Sequence, residues 1–199
     1  MPSTCASPVY HQETAFYRDD HRRLLNRISE QAAAVIHNSI LYEQAKEDSL
    51  TDPLTGLPNT RFLFMHLTRE LVRAERLNAE VALILMHLDK LRSINDAWGY
   101  RADDRALCEV AKLLRAAIRP GDICVRYDRG AWFMLILSGC GADEAERKRL
   151  ELQEALACVP FEGGPGQPVT LGLSAGAAIF PHDGKTFEAL FATASQRLS

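Results

Sequence analysis

The sequence lacks long hydrophobic runs, closely spaced cysteines and any large excess of charge. No apolar stretch approaches the ~18 to 20 residues of a membrane-spanning helix, and no secretory signal is present, so we expect a cytoplasmic protein with no membrane segment. The five cysteines form no CxxC pair, which argues against structural zinc and a disulfide framework. A net charge of −3 gives no indication of nucleic-acid binding.

Two glycine-rich phosphate-binding patterns are also missing. No GxGxxG follows the first predicted strand, and GxxxxGK[ST] occurs nowhere in the chain. These absences disfavour a Rossmann dinucleotide site and a P-loop nucleotide site.

The first quarter of the chain is predicted to hold a disordered segment and then one long helix. Residues 1–18 show no periodicity and are expected to be disordered. Across residues 19–50, apolar side chains recur at helical spacing without an intervening glycine or proline, which predicts a connector helix. Its apolar stripe favours a partner helix, as in a homodimer, although the stripe could instead cover its own domain.

Residues 51–199 alternate helical and strand patterns. We predict four helices, over 60–77, up to 118, over 142–157 and from 187. Asn59 is predicted to cap the first of them, and Asp103 or Asp104 the second. Strands are predicted over 81–88, 123–127, 131–137 and 169–180, and loops over 89–104 and 161–168. This order indicates an α/β (α+β) fold in which helices flank a mixed or antiparallel sheet.

The stretch "RYDRGAWF", from Arg126 to Phe133, is predicted to form a tight β-hairpin. A short polar break containing a glycine separates two apolar runs. Hairpin tips in enzymes often carry acids that hold a metal, whereas this tip carries arginine, glycine and alanine.

Four stretches together resemble the GGDEF family of diguanylate cyclases, in the family's order and spacing over Ser49 to Ser199. They are "DPLTGLPNTRF", "LDKLRSINDAWGYRADDRAL", "RPGDICVRYDRGAWFMLIL" and "VTLGLSAGAAIFPHDGKTFEALFATA". The preceding segment looks like the exit helix of a GAF sensor domain, which would then precede this sequence in a longer protein.

The resemblance implies a mostly antiparallel sheet flanked by helices, similar to the palm of nucleotide cyclases and polymerases. It also implies an enzyme that joins two GTP molecules into cyclic di-GMP across a dimer. Carboxylates of the family hold Mg²⁺, a hard ion that prefers oxygen ligands. These acids stand at the end of the first strand and at the third position of the hairpin motif, and an acid at the fourth position assists.

In this sequence the family's acidic positions carry other residues. The strand-end metal position falls on His87, an imidazole that suits Mg²⁺ poorly, although Asp89 remains nearby. The metal acid of the hairpin has become Gly130 and its neighbour Ala131. We therefore predict no metal site and no catalytic residue in a degenerate motif that comprises Asp128, Arg129, Gly130, Ala131 and Trp132.

Two positions that contact guanine in the family are retained. The resemblance places Asn95 and Asp104 there, where an amide and a carboxylate could pair with a guanine edge. Alternatively, Asn95 shapes a turn and Asp104 caps a helix. Tyr100 stands where the family has a histidine, so we expect GTP binding to be weak.

A second ligand site of the family also matches. Arg119 and Asp122 fit its RxxD inhibitory motif, in which the arginine clamps phosphate and guanine of cyclic di-GMP and the aspartate accepts from guanine. Arg147 and Arg149 are candidate additional ligands on the next helix. The alternative is structural, with Arg119 ending a helix and Asp122 shaping the turn.

The sequence thus favours a catalytically inactive GGDEF domain that serves as a regulatory module and binds cyclic di-GMP. One alternative is an active cyclase with unusual residues, which would need Mg²⁺ as cofactor. Another is a ligand-free dimerisation domain, or a GTP-sensing domain that regulates a downstream phosphodiesterase.

Overall fold

The computed structural model describes residues 19–128, 130–164 and 167–198, without the side chains of residues 42–48, 162–164 and 167–168. The chain divides after Ser49 into two units. The disordered segment predicted for residues 1–18 lies outside the described residues.

The first unit contains one long helix, α1 (Asp19–Asp48). Two acidic residues, Asp19 and Asp20, open its first turn, where they favour the positive end of the helix dipole. Its apolar side chains are exposed in the single chain: Leu24, Leu25, Ile28, Val35, Ile36, Ile40 and Leu41.

The second unit begins at Leu50 and contains five helices and six strands among its described residues. The helices are α2 (Thr60–Leu77), α3 (Leu91–Trp98), α4 (Tyr100–Ala117), α5 (Ala142–Ala157) and α6 (Phe187–Gln196). The strands are β1 (Val81–Asp89), β2 (Ile123–Arg126), β3 (Trp132–Ser138), β4 (Pro160–Gly164), β5 (Gln167–Thr170) and β6 (Gly172–Phe180).

Four strands form an antiparallel sheet in the order β2-β3-β1-β6, and β4 pairs with β5 in a separate hairpin. β1 lies between two neighbours and is buried on both faces, as its continuous apolar run predicts. One face packs against α3, α4 and α5, and the other packs against α2 and α6. Helices therefore flank the sheet on both sides.

Local signals explain where several helices begin. The side chain of Asn59 accepts a hydrogen bond from the backbone N–H of Phe62 at 3.1 Å, which confirms the predicted cap of α2. Thr186 caps α6 in the same way, through Ala189. Gly99 has a φ of 77° and separates α3 from α4, a backbone conformation that favours glycine.

The structure corrects three local predictions. Residues 89–104 were predicted to be a loop, but they contain α3, and α4 begins at Tyr100, so neither Asp103 nor Asp104 is its cap. Residues 161–168 were also predicted to be a loop, but β4 and β5 occupy much of this segment. The strand predicted over 169–180 is broken at Leu171, which separates β5 from β6.

No helix among the described residues is long and apolar enough to cross a membrane.

Candidate functional site

The end of β1 presents His87 and Asp89 on the face of the sheet that α2 and α6 cover. Side chains alternate along a strand, so both residues follow Leu85, which is buried on that face. β1 pairs His87 with Trp132 of β3 and with Ser174 of β6. The three strands thus bring two polar side chains and an indole around the imidazole.

These side chains contact one another. Nδ1 of His87 lies 3.3 Å from Oδ1 of Asp89, and the rings of His87 and Trp132 have centroids 4.6 Å apart. The hydroxyl of Ser174 donates to the Asp89 carboxylate, with Oγ 3.0 and 2.9 Å from its two oxygens. The carboxylate of Asp89 is therefore already engaged by two neighbours.

The predicted hairpin is present and joins β2 to β3. The backbone N–H of Tyr127 donates to the carbonyl of Trp132 at 3.0 Å. Oδ1 of Asp128 accepts from the N–H groups of Gly130 at 2.8 Å and of Trp132 at 3.4 Å. Asp128 therefore shapes the turn, while Arg129 lies outside the described residues.

A buried arginine contacts both the hairpin tip and the turn near the start of the second unit. The side chain of Arg126 is 2% exposed, and its Nη1 lies 3.4 Å from Oδ1 of Asp52. Its Nη2 donates to the carbonyl of Gly130 at 3.0 Å. Oδ1 of Asp52 also accepts from the backbone and the hydroxyl of Thr55 at 2.8 and 2.6 Å. The turn near the start of the second unit is thereby connected to the tip of the hairpin.

The residues predicted to bind guanine lie on the two helices that Gly99 separates. Asn95 is half-buried in α3, and Asp104 is exposed on α4. Neither side chain makes a hydrogen bond within the described part of the chain, so both remain available to a ligand. Asp104 also lines a cavity of about 510 Å³ together with Cys108 and Phe161.

Asp103 occupies an unfavourable position for a charge. Partial burial and the neighbouring Asp104 raise the pKa of Asp103, while the positive charge of Arg126 acts in the opposite direction. Its Oδ1 is buried and has no hydrogen-bond partner among the residues that the structure describes. Asp103 is thus a partly buried acid within the electrostatic influence of Arg126.

The RxxD residues form a tight turn after α4. Oδ2 of Asp122 accepts from the backbone N–H of Arg119 at 3.1 Å, which supports the structural role that the sequence left open. The side chain of Arg119 is nevertheless 71% exposed, and its Nη2 lies 2.7 Å from Oε1 of Glu144. The arginine side chain is thus oriented by an acid of α5 and stays accessible to solvent.

The two arginines proposed from α5 have different surroundings. Nη2 of Arg147 lies 3.9 Å from the same oxygen of Glu144, and this side chain is 73% exposed. Arg149 instead binds Glu146 through two hydrogen bonds of 2.8 and 2.6 Å and is mostly buried. The structure therefore places Arg147, and not Arg149, beside Arg119.

A buried thiol responds to all of these charges. Burial raises the pKa of Cys140 to about 11. The negative charges of Glu144 and Asp122 contribute to this rise in the pKa, and the positive charges of Arg119 and Arg147 act in the opposite direction. Four charged side chains from the RxxD turn and α5 are therefore close enough to Cys140 to influence its pKa.

Comparisons with known proteins establish the family of this chain. A family model described as diguanylate cyclase, GGDEF domain, matches residues 49–199. The chain belongs to the GGDEF family. Diguanylate cyclase DgcP of Pseudomonas aeruginosa is 35% identical over 178 residues, which cover 88% of this chain but 26% of DgcP.

Solved GGDEF structures share the fold. A sensory box/GGDEF family protein from Caulobacter crescentus has a TM-score of 0.67 and 35% identity, covering 75% of this chain and 96% of that one. Diguanylate cyclase SiaD of Pseudomonas aeruginosa, solved with its activator SiaC, has a TM-score of 0.69 and 28% identity, covering 89% and 67%. These matches confirm the family and the α+β class with an antiparallel sheet flanked by helices.

The comparisons establish the family but not the activity of this chain. Since the chain spans about a quarter of the length of DgcP, the activity of that whole protein is not transferred to this GGDEF domain. The origin of α1 as a GAF exit helix and the loss of the family's metal acids both remain interpretations of the sequence.

The residues at the strand end do not fit the magnesium ion that the GGDEF resemblance implies. Mg²⁺ prefers an octahedron of oxygen ligands, but the corresponding positions are the imidazole of His87 and Gly130, which has no side chain. Asp89 is engaged by Ser174, and Asp128 caps its own turn. Among the described residues, no group of three or more His, Cys, Asp or Glu could hold a metal ion.

The sequence reasoning missed the ion pair of Asp52 with Arg126 and the role of Glu144. A signal for the first was present, because Arg126 follows buried Cys124 two residues along the same strand. Side chains two residues apart on a strand point to the same face of the sheet, so Arg126 is expected on the buried face. A buried positive charge predicts a buried acidic partner. No comparable signal identified Glu144, since acids at exposed helix positions are common.

Proposed function

We propose that this GGDEF domain is catalytically silent and acts as a regulatory module that binds cyclic di-GMP at Arg119, Asp122 and Arg147. The observation that carries the proposal is a contrast between two sites. His87 and Gly130 offer no carboxylate near the end of β1, whereas Arg119 of the RxxD turn and Arg147 of α5 are two largely exposed side chains. We place such a module in the cytoplasm, where its nucleotide ligands occur.

The proposed loss of activity follows from charge. Joining two nucleotides requires that negative charge at the phosphates be neutralised, which magnesium does in this chemistry. His87 with Gly130 supplies no carboxylate for that ion, and the hydroxyl of Ser174 already satisfies Asp89. Cyclase activity is therefore not expected.

The proposed ligand matches the groups at the RxxD turn. A guanidinium presents a planar fork that suits both a phosphate and a guanine edge. Asp122 uses Oδ2 to hold the turn, and its Oδ1 can accept from a guanine N–H. One structural element thus provides both the positive charge and the acceptor that cyclic di-GMP requires.

Calorimetric titration with cyclic di-GMP tests this site. We expect binding by the unaltered chain and a loss of at least about tenfold in affinity for Arg119→Ala, because a hydrogen-bonded charge is removed. Lys112→Ala is the matched control, since Lys112 is also exposed and lies 2.7 Å from an acid, Glu109. No binding by the unaltered chain, or equal losses in both variants, would refute the proposal.

A second candidate function is GTP sensing, favoured by the free hydrogen-bonding groups of Asn95 and Asp104. Such a domain could regulate a phosphodiesterase that follows it. Titration with GTP should then give binding that Asn95→Ala weakens and that Asp96→Ala, at the exposed neighbouring position, leaves unchanged. Absence of GTP binding would eliminate this candidate.

We also propose that α1 mediates a homodimer through its exposed apolar stripe. Burial of an apolar stripe of this length against a partner helix stabilises the dimer, because apolar side chains are removed from water. Sedimentation should show a dimer that Ile28→Glu dissociates. Ala34→Glu adds the same charge on the opposite side of the helix and should leave the dimer intact. A monomer in the unaltered protein would refute the proposal.

A further inference from the structure

One carboxylate lies between the two arginines of the RxxD surface. Oε1 of Glu144 is 2.7 Å from Nη2 of Arg119 and 3.9 Å from Nη2 of Arg147. The two arginines come from different elements, the turn after α4 and the helix α5. A single oxygen is therefore the point on which both positive charges converge.

The position of Glu144 does not depend on Arg119 alone. It stands in the first turn of α5, where a negative charge is favoured by the free N–H groups of the helix. Arg147 is three residues further along the same helix, a spacing that brings side chains together. The backbone of α5 thus keeps this carboxylate next to Arg119 in the absence of ligand.

We infer that Glu144 is a tethered counter-anion that an incoming phosphate group must displace from Arg119. This inference rests on the proposed function, because it concerns the same surface. Glu144 then sets the affinity of the site and its specificity. A ligand must offer Arg119 and Arg147 more negative charge than one carboxylate does, so a molecule with two phosphates is favoured over one with a single weak anion.

The expected change in phosphate affinity is small because the arginines that Glu144 contacts are exposed to solvent. Both arginine side chains are largely exposed, and exposed ion pairs are weak. Removing the charge of Glu144 should therefore tighten phosphate binding by about threefold, within the range for such pairs. The gain should shrink as salt is added, since salt screens exposed charges.

The test compares Glu144→Gln with a matched control on the same helix. Glutamine keeps the size and the hydrogen-bonding oxygen of Glu144 and removes only the charge. Glu151→Gln removes the same charge two turns further along the helix, where the more exposed Glu151 pairs with Lys148 at 3.1 Å. Each protein is titrated with cyclic di-GMP and, separately, with inorganic pyrophosphate at low and high salt.

The expected result is tighter binding of both probes by Glu144→Gln only, with a gain that falls at high salt. Equal affinities in the unaltered chain and Glu144→Gln would overturn the inference. If only pyrophosphate binds and responds, the counter-anion role holds and the proposed cyclic di-GMP site fails. If neither probe binds any of the proteins, the arginines form no phosphate site and this inference fails as well.

Discussion

Asp52 and Arg126 form an ion pair across 74 residues of sequence, with Oδ1 and Nη1 separated by 3.4 Å. The arginine also holds the carbonyl of Gly130, so the pair connects the turn near the start of the second unit to the hairpin tip. Because the arginine is almost fully buried, the negative charge of Asp52 helps to make its positive charge tolerable there.

Replacing Asp52 by asparagine should destabilise the second unit by about 3 kcal/mol, the cost of removing one partner from a buried pair. Asparagine keeps an oxygen that can accept from Thr55, so the change isolates the charge. Urea unfolding measures the difference. Asp96→Asn removes an exposed acid and should change the free energy of unfolding little, and similar losses in both variants would contradict the account.

The ion pair of Asp183 and Arg197 should make the free energy of unfolding depend on pH in the acidic range. Hydrogen bonds from Arg197, at 2.8 Å to each oxygen, lower the pKa of Asp183 below its ordinary value, and the backbone N–H of Ile179 adds to the effect. An acid with a lowered folded-state pKa stabilises the fold above its unfolded pKa of about 3.9. That contribution is lost as pH falls through the folded pKa.

Arg197→Ala should therefore lower the free energy of unfolding by about 1 kcal/mol at pH 7, since this pair is partly exposed. The gap between the variant and the unaltered protein should narrow as the pH falls below about 4. Urea unfolding at several pH values measures the gap. If the difference in the free energy of unfolding were the same at pH 7 and at acid pH, the loss would come from packing and the predicted role of the ion pair would be wrong.

The cysteines should differ strongly in reactivity. Burial raises the pKa of Cys124 to about 12 and that of Cys140 to about 11, so little thiolate forms at pH 8. Among the four cysteines that the structure describes, Cys158 is exposed and should be alkylated first. Mass spectrometry after brief treatment with iodoacetamide measures the order. Modification of Cys124 as fast as that of Cys158 in the folded protein would contradict the burial of this strand.

Long periodic segments could be predicted from the sequence because their stabilising signal is local. The bounds of α5 agree with the prediction, and α2 begins directly after its predicted cap, Asn59. The short helix α3 was missed because it buries only two residues, Leu91 and Ile94, which is too few to establish a period.

Other features depend on contacts between distant parts of the chain. The glycines and prolines of residues 161–168 indicated a loop, yet β4 and β5 pair there. Phe161 of β4 is buried in the main core, so tertiary packing overrides the local preference. Likewise, the motif identified Arg119, but only the fold shows that Glu144 accompanies it.

The most direct test of the central claim is an assay of the purified chain with GTP and either Mg²⁺ or Mn²⁺, followed by chromatography for cyclic di-GMP. An active GGDEF cyclase under the same conditions is the positive control. The account predicts no cyclic di-GMP above the level of a sample without protein, because the resemblance to the family places His87 and Gly130 where carboxylates are needed. Sustained formation of cyclic di-GMP in proportion to the amount of this chain would contradict it.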